Sequence, residues 1–397
     1  MIFFSIAAIV LILAYSYIGW RVITPSGLEV RKKRIAWALL LSWPLSLPAS
    51  YLLRFSGSDT FWGDVIGWVA YISLGFFSLV FILLLLRDAG WVILALTGKF
   101  VKLLYRAVIS LKPRVVSYDP ERRNLLIRSM NLGILGTAGF FTGYGFYEAR
   151  RKPTVVNISV PINGLPPGFE GFRIAQISDI HVGPTIKRDH VSTVVEMVDN
   201  LGADVIVFTG DLVDGTVPIL SKDVAPLGEL AAPKGTFFVT GNHEYYSGAM
   251  AWIEEIDRLG LTVLLNENRV LENHGSRLIL AGVTDYNAGG FIGSHVSDPA
   301  TAISDAPDEA VKILLAHQPR SVYKAAEEGF DLQISGHTHG GQNLFWSSLV
   351  ALTQPFIRGL HKYKDTWVYV NSGTGYWGPP LRVGVPSEIT LITLRTQ

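Results

Sequence analysis

At 397 residues, 49% of them hydrophobic and with a mean hydropathy of +0.32, the chain is too apolar for a purely water-facing protein and long enough for a membrane portion plus one domain with a large core. Its net charge of +1 hides an asymmetry: residues 1–148 carry 15 Lys and Arg against 7 Asp and Glu, whereas residues 149–397 carry 19 against 26. An acidic second half argues against nucleic acid as a partner, and the absence of cysteine excludes disulfides, thiolate metal ligands and a cysteine nucleophile.

Residues 1–20 form an uncharged apolar run just long enough to cross about 30 Å of hydrocarbon as a helix. A second run covers 35–53, with Pro44 and Pro48 as expected kinks, and a third covers 61–86 with Asp64 as its only charge. Residues 91–111 carry Lys99, Lys102 and Arg106 among apolar neighbours, which suits either an interfacial helix or a continuation of the third span. A glycine-rich fourth span is expected over 129–147. Arg122 and Arg123 ahead of it read either as a twin-arginine export signal or as an ordinary basic flank. The 21–34 and 87–128 segments hold the basic residues, so the positive-inside rule makes them cytoplasmic. The expectation is a multi-pass membrane region over 1–148 and an extracytoplasmic domain over 149–397.

From Val155 onward the pattern changes to short β-rich runs ending in turn residues. Strands are expected over 155–160, 173–178, 204–209, 236–240, 277–283, 311–316, 331–335, 367–371 and 389–394. Amphipathic helices are expected over 187–200, 221–231, 249–260 and 320–329. Such alternation implies an α/β sandwich of two sheets with helices outside. Ligand sites in α/β folds gather at the carboxyl ends of strands. Five of these strands lead into polar motifs: Asp179-Ile180-His181, Gly210-Asp211-Leu212-Val213-Asp214, Gly241-Asn242-His243-Glu244, His317, and Gly336-His337-Thr338-His339. Five of the nine histidines fall in them, and none precedes residue 181.

The chemistry of these residue types is that of metal coordination. Asp179 and His181, two apart at a strand end, are expected to point the same way. Asp211 can bridge two cations, and Asn242 offers a neutral carbonyl oxygen. His337 and His339 sit in a glycine-flanked turn, where histidines seldom serve packing. A nitrogen and oxygen set without thiolate suits Mn, Fe or Zn. Farther along, 343–358 is unusually apolar, and Trp346 is a candidate substrate contact there; Arg382 is a second, expected on the rim of the site.

The ordered blocks D-x-H, G-D-x-x-D, G-N-H-E, H and G-H-x-H resemble those of the calcineurin-like metallophosphoesterase superfamily, over about residues 155–395, and the preceding spans make the chain most similar to its membrane-associated bacterial branch. The resemblance implies a four-layer αββα sandwich preceded by an N-terminal helical membrane region. It implies two divalent metal ions, one held by Asp179, His181, Asp211 and His339, the other by Asp211, Asn242, His317 and His337. His243 would face the substrate, oriented by Asp214. The implied activity is phosphohydrolysis of mono- or diesters or pyrophosphates, by in-line attack of water activated between the metals. Phosphoprotein phosphatases of the superfamily carry arginines directly after the second Asp and soon after G-N-H-E. Here those positions read Gly215 and Tyr245-Tyr246, which disfavours phosphoproteins. A substrate in or near the bilayer is the expected partner, such as a phospholipid, a nucleotide-linked lipid or an isoprenoid pyrophosphate, with a UDP-diacylglucosamine-type pyrophosphate as a candidate that the resemblance suggests. A non-catalytic metal-bound sensor or assembly module is the alternative. No protein partner is inferable.

Overall fold

In the computed structural model the described residues are 2–49, 61–108, 119–307 and 310–397. Packing divides the chain into two compact units, residues 1–144 and 145–397.

In the first unit, helix Ile2–Val22 is followed by Val30–Ser42, which tightens into a 3-10 turn at Trp43–Leu45. Pro44 cannot donate to the helical ladder, so the tightening falls where the kink is expected. The end of the expected second span, 50–53, lies outside the described residues. The third helix does not stop at residue 86 but runs unbroken from Phe61 to Val108, so the apolar stretch after Gly90 extends it. Its 48 residues measure about 72 Å, far more than a hydrocarbon core needs. A fourth helix runs Pro120–Arg150. Among the described residues two segments, Phe61–Val101 and Pro120–Arg150, are long and apolar enough to cross a membrane. A polar knot joins these helices within residues 1–144. Asp88 accepts from Tyr17 Oη (2.6 Å) and from Arg87, and pairs with Arg21 Nη2 (2.6 Å). Arg87 also donates to Asn131 Oδ1, while Asn131 Nδ2 donates to the Arg21 carbonyl.

The second unit holds two six-stranded sheets. The first has the order β1-β12-β2-β3-β4-β5, with β1 Thr154–Ile162, β2 Arg173–Ile177, β3 Val205–Phe208, β4 Thr236–Phe238, β5 Thr262–Val263 and β12 Glu388–Thr396. The second has the order β10-β11-β9-β8-β7-β6, with β6 Glu267–Asn273, β7 Ser276–Gly282, β8 Val311–Leu315, β9 Leu332–Ser335, β10 Gly359–Tyr363 and β11 Thr366–Val370. All nine expected strands are present; β5, β6 and β10 are additional.

Period-two alternation assigns the faces. Leu278 and Leu280 of β7 and Ile313 and Leu315 of β8 point between the sheets, where they meet Ile174, Val205 and Val207 of the first sheet. Their neighbours Ile279, Ala281 and Leu314 point outward against Ala302, Ala325 and Phe330. On the other outer face, Ile206, Phe208 and Phe238 pack against Val191, Val194, Leu220, Trp252 and Ile256 of helices Arg188–Asp199, Val217–Val224 and Ala249–Arg258. The result is the expected αββα layering. β2, β3 and β4 run parallel in one sheet, and β7, β8 and β9 in the other. Gln176 reaches across, donating to Thr209 Oγ1 and to the Ser335 carbonyl, so the carboxyl ends of β2, β3 and β9 lie side by side.

Candidate metal centre

Each motif begins within a few residues of a strand's end: Asp179 after β2, Asp211 after β3, Asn242 after β4, His317 after β8 and His337 after β9. The backbone there is unusual. Asp179, His181, Asp211, His337 and His339 all have φ between 51° and 72°, in the left-handed region. Only nine described non-glycine residues have a positive φ, and five of them are in this cluster. Asp and His tolerate that region better than most residues, at a cost of about 1–3 kcal/mol each when strained. The expectation that Asp179 and His181 share a direction through strand geometry is therefore corrected: β2 has already ended, and two left-handed residues turn both side chains inward. Glycines permit the loops to close. A β-carbon at Gly241 would collide with the Asp211 carboxylate, and one at Gly336 with Ser178 and Asp179.

The side chains converge as three overlapping groups able to hold a metal: Asp179, His181 and His339; His181, Asp211 and His243; and Asp211, His317 and His337. His181 Nε2 faces His339 Nε2 at 3.0 Å, and His339 Nε2 lies 3.5 Å from Asp179 Oδ1. Asp211 Oδ2 sits 3.1 Å from His317 Nε2 and 3.8 Å from His181 Nε2, placing this carboxylate between the two histidine sets. His317 Nε2 also faces His337 Nδ1 at 3.1 Å, while its Nδ1 donates to the Thr209 carbonyl at 2.6 Å. That bond makes Nδ1 the donor and turns Nε2 into the cluster. Asp214 Oδ1 accepts from His243 Nδ1 (2.6 Å) and lies 3.1 Å from His181 Nδ1.

Electrostatics follows from the crowding. Burial opposes a charge on His317, but Asp211 and Asp179 outweigh it and raise its pKa well above the ordinary value. Burial and the neighbouring His317 press His337 down to about 3, and burial with His181 presses His339 down as well. His243 is raised to about 9, because Asp211 and Asp214 overcome its burial. Asp211 is lowered: His317 and His243 defeat the burial that would neutralise it. One feature tests whether a metal fits. Asn242 Oδ1 is buried with no hydrogen-bond partner, an expensive arrangement unless a cation supplies one. Facing pairs of imidazole nitrogens pose the same problem with the same solution. The donors, carboxylate and amide oxygen with imidazole nitrogen, suit a borderline divalent ion.

Two expected contacts fare differently. Arg382 is not on a rim: it is fully buried, donating to the carbonyls of Ser372, Gly373, Gly375 and Val385, and its Nη2 lies 3.4 Å from His339 Nδ1. It organises the floor beneath His339 and has no face left for a phosphate. The Trp346 side chain lies outside the described residues; nearby, Phe356 stacks on His361 and packs with Val322, Val368 and Val370, while Leu349 and Leu352 are exposed.

Sequence reasoning gave no role to Glu244. Its buried carboxylate accepts from the backbone N–H groups of Asp211, Leu212 and Gly241, tying two motif loops together. Burial, then Asp211, raises its pKa to about 7. A Glu three residues past a helix-opening glycine is a capping signal that was available. Also unforeseen are the exposed rings of Tyr246 and Trp377, whose centroids lie 5.1 and 5.8 Å from that of His243.

A family model described as calcineurin-like phosphoesterase matches residues 172–341. A "transmembrane protein with metallophosphoesterase domain" of Danio rerio is 37% identical over 260 residues, 64% of this chain and 60% of that protein. An uncharacterized metallophosphoesterase of Helicobacter pylori is 36% identical over 282 residues, 70% of this chain and 74% of that one. The match thus spans less than two thirds of the length of the fish protein. Among solved structures, a 5'-nucleotidase precursor from Thermus thermophilus aligns with 14% identity and a TM-score of 0.37, covering 56% of this chain and 54% of its own.

Proposed function

The chain belongs to the calcineurin-like phosphoesterase family, and from that premise we propose that it is a membrane-anchored, metal-dependent phosphohydrolase. The observation that carries this reading is the gathering of donors on both sides of Asp211, beside the unpartnered Asn242 oxygen. In it, Asp179, His181, Asp211 and His339 hold one divalent ion, and Asp211, Asn242, His317 and His337 hold a second, with Mn, Fe or Zn all compatible. Such a pair, when bound, supplies Lewis acidity toward phosphoryl oxygens and makes water a usable nucleophile near neutral pH.

The remaining work falls to side chains of the chain itself. Asp214 holds His243 through Nδ1, which fixes the ring and leaves Nε2 to donate a proton to the departing ester oxygen. Glu244 keeps the Asp211 and Gly241 loops in register, and Arg382 keeps the Ser372–Gly375 loop beneath His339. No lysine or arginine stands where phosphoprotein phosphatases place theirs, so recognition rests on the metals and on the non-phosphate part of the substrate.

The finer reading is a lipid-linked phosphoester or pyrophosphate, with a UDP-diacylglucosamine-type compound as a candidate. Two apolar helices and the membrane-protein name of the fish relative support it. The same reading takes the anchoring as multi-pass with the catalytic domain outside the cytoplasm, supported by the basic 21–34 and 87–128 segments under the positive-inside rule. The test uses the full chain in nanodiscs, loaded with Mn, acting on bis-p-nitrophenyl phosphate. Turnover is expected, with kcat falling about 10²–10⁴-fold in His243→Ala while metal content is retained. A metal-loaded wild type without turnover would favour the non-catalytic sensor instead.

A further inference from the structure

The rings beside His243 do not belong to the apolar core. Trp377, Tyr246, Phe291 and Met250 are 55%, 57%, 54% and 52% exposed, a high value for four large apolar side chains beside a polar site. They are connected. Tyr246 follows His243 on helix Asn242–Ser247, and the Phe291 ring lies 5.5 Å from that of Tyr246 and 6.0 Å from that of Tyr245. Phe291 then forms a wall of a cleft of about 350 Å³, whose other lining residues are Tyr245, Gly248, Ala249, Met250, Ala251 and Ile292. An apolar path therefore leads from the imidazole of His243 into a groove.

The entrance is held in place by hydrogen bonds. Gln342, three residues past His339 and itself left-handed at φ 55°, accepts from Trp377 N at 2.8 Å. Its amide nitrogen donates to the carbonyls of Trp377 (3.0 Å) and Pro379 (3.1 Å). The His337–His339 turn thereby positions an exposed tryptophan that touches no core. Two of these bonds fix the Trp377 backbone and the third fixes Pro379, so the segment carrying two candidate ligands sets where the Trp377 ring emerges beside His243.

The lining decides the occupant. A nucleobase would need polar side chains to read its edges, and among the described residues lining the cleft beyond Tyr246 the Tyr245 hydroxyl alone is polar and is already engaged with His295 Nδ1 at 2.8 Å. Among the described residues no lysine or arginine lines the groove to take a second phosphate. What remains is alanine, isoleucine, phenylalanine and an adaptable methionine, a surface suited to hydrocarbon. We propose that Trp377, Tyr246, Phe291 and Met250 form a track that receives an unbranched alkyl or acyl chain of the phosphoester, so that the site selects substrates by their apolar arm. This rests on the phosphohydrolase reading and names the substrate class within it.

Binding separates the two. Methyl, butyl, hexyl and octyl phosphate are titrated calorimetrically into the Mn-loaded full chain in nanodiscs, with empty discs subtracted. Kd is expected to tighten about two- to fourfold per added methylene beyond butyl. Phe291→Ser with Met250→Ser should flatten that dependence, Met250→Ser alone should weaken it, and Val270→Ser, an exposed apolar residue elsewhere, should keep it. A flat dependence in the wild type, or one that the double variant retains, overturns the track. Hydrolysis of bis-p-nitrophenyl phosphate is scored separately, so a metal-loaded protein that binds chains without turnover would count against the enzyme and not against the track.

Discussion

The two units solve opposite problems with the same forces. In residues 145–397 the large apolar side chains are inside: Phe208, Phe238, Leu280 and Ile313 are fully buried, and polar groups gather where strands end. In the first unit the order reverses. Leu94, Leu132 and Phe140 are about 70% exposed, whereas Asn131 is 4% exposed and sits within the knot of Arg21, Arg87 and Asp88. Water drives the first arrangement, because apolar area removed from it stabilises the fold. Hydrocarbon suits the second, because a backbone and its charges must then find partners inside the protein. The pair of Arg21 and Asp88 sits where the basic segments begin and its side chains remain partly exposed, so it ties helices together through its hydrogen bonds more than through its charge.

Substitutions at matched aromatic residues put that contrast at risk. Phe208→Ala, in the layer between the first sheet and its helices, should cost about 4 kcal/mol of the stability of the second unit, from lost transfer energy plus a cavity. Denaturant midpoints would show it, and a loss below about 1 kcal/mol would mean this layer is not the packed core it looks. Phe140→Asp should cost about 3 kcal/mol of membrane insertion, since a carboxylate near the middle of a spanning helix is penalised. On a water-exposed helix the same change would be neutral or helpful to solubility. Unchanged insertion of the 120–150 segment, read from a topology reporter fused after residue 150 and not from the partition of the whole chain, would therefore remove the hydrocarbon account of these residues.

Legibility in the sequence followed the range of the physics. Strands such as 204–209 and 236–240 announce themselves because five β-formers in a row, Val205 to Thr209 and Thr236 to Thr240, end at a turn, and their motifs are local. β5, with two residues, and β6, with Glu267, Asn268, Arg269, Glu272 and Asn273, carry too little apolar signal to stand out. They are strands because β4 and β7 offer them a ladder. At the candidate site the residue types were readable but the means of bringing them together was not. Left-handed φ at Asp179 or His337 is a property of the folded loop, and the burial of Arg382 depends on carbonyls of residues 372–375 arriving above it. Trp377 is 134 positions from His243, so their proximity is purely tertiary. The helix from Phe61 to Val108 fails differently: Arg87 and Asp88 look like a terminus in one dimension, yet in three they have partners on two other helices.

The contrast sharpens on His190, an ionisable group in the second unit that lacks what Asp88 has. His190 is half-buried in the first turn of helix Arg188–Asp199, and its Nε2 is sealed from solvent without a partner. Burial, then the nearby Arg150 charge, lowers its pKa from 6.5 to about 4. Above pH 6.5 it is neutral in both folded and unfolded chains and makes no difference. As pH falls below 6.5 the unfolded chain takes up the proton, whereas the folded chain resists until about pH 4, so stability must drop across that window. Between pH 7 and pH 5 the loss should be about 2 kcal/mol. Other carboxylates and histidines titrate in the same range, so the quantity to measure is a difference: the fall in unfolding free energy of the second unit in wild type minus that in His190→Gln. A wild type that loses about 2 kcal/mol more than the variant would show that the interior of this unit tolerates a charge only where a counter-charge meets it. Equal losses would mean that Arg150 and the surrounding backbone already accommodate an imidazolium, and that the two units differ less in their treatment of buried charge than their surfaces suggest.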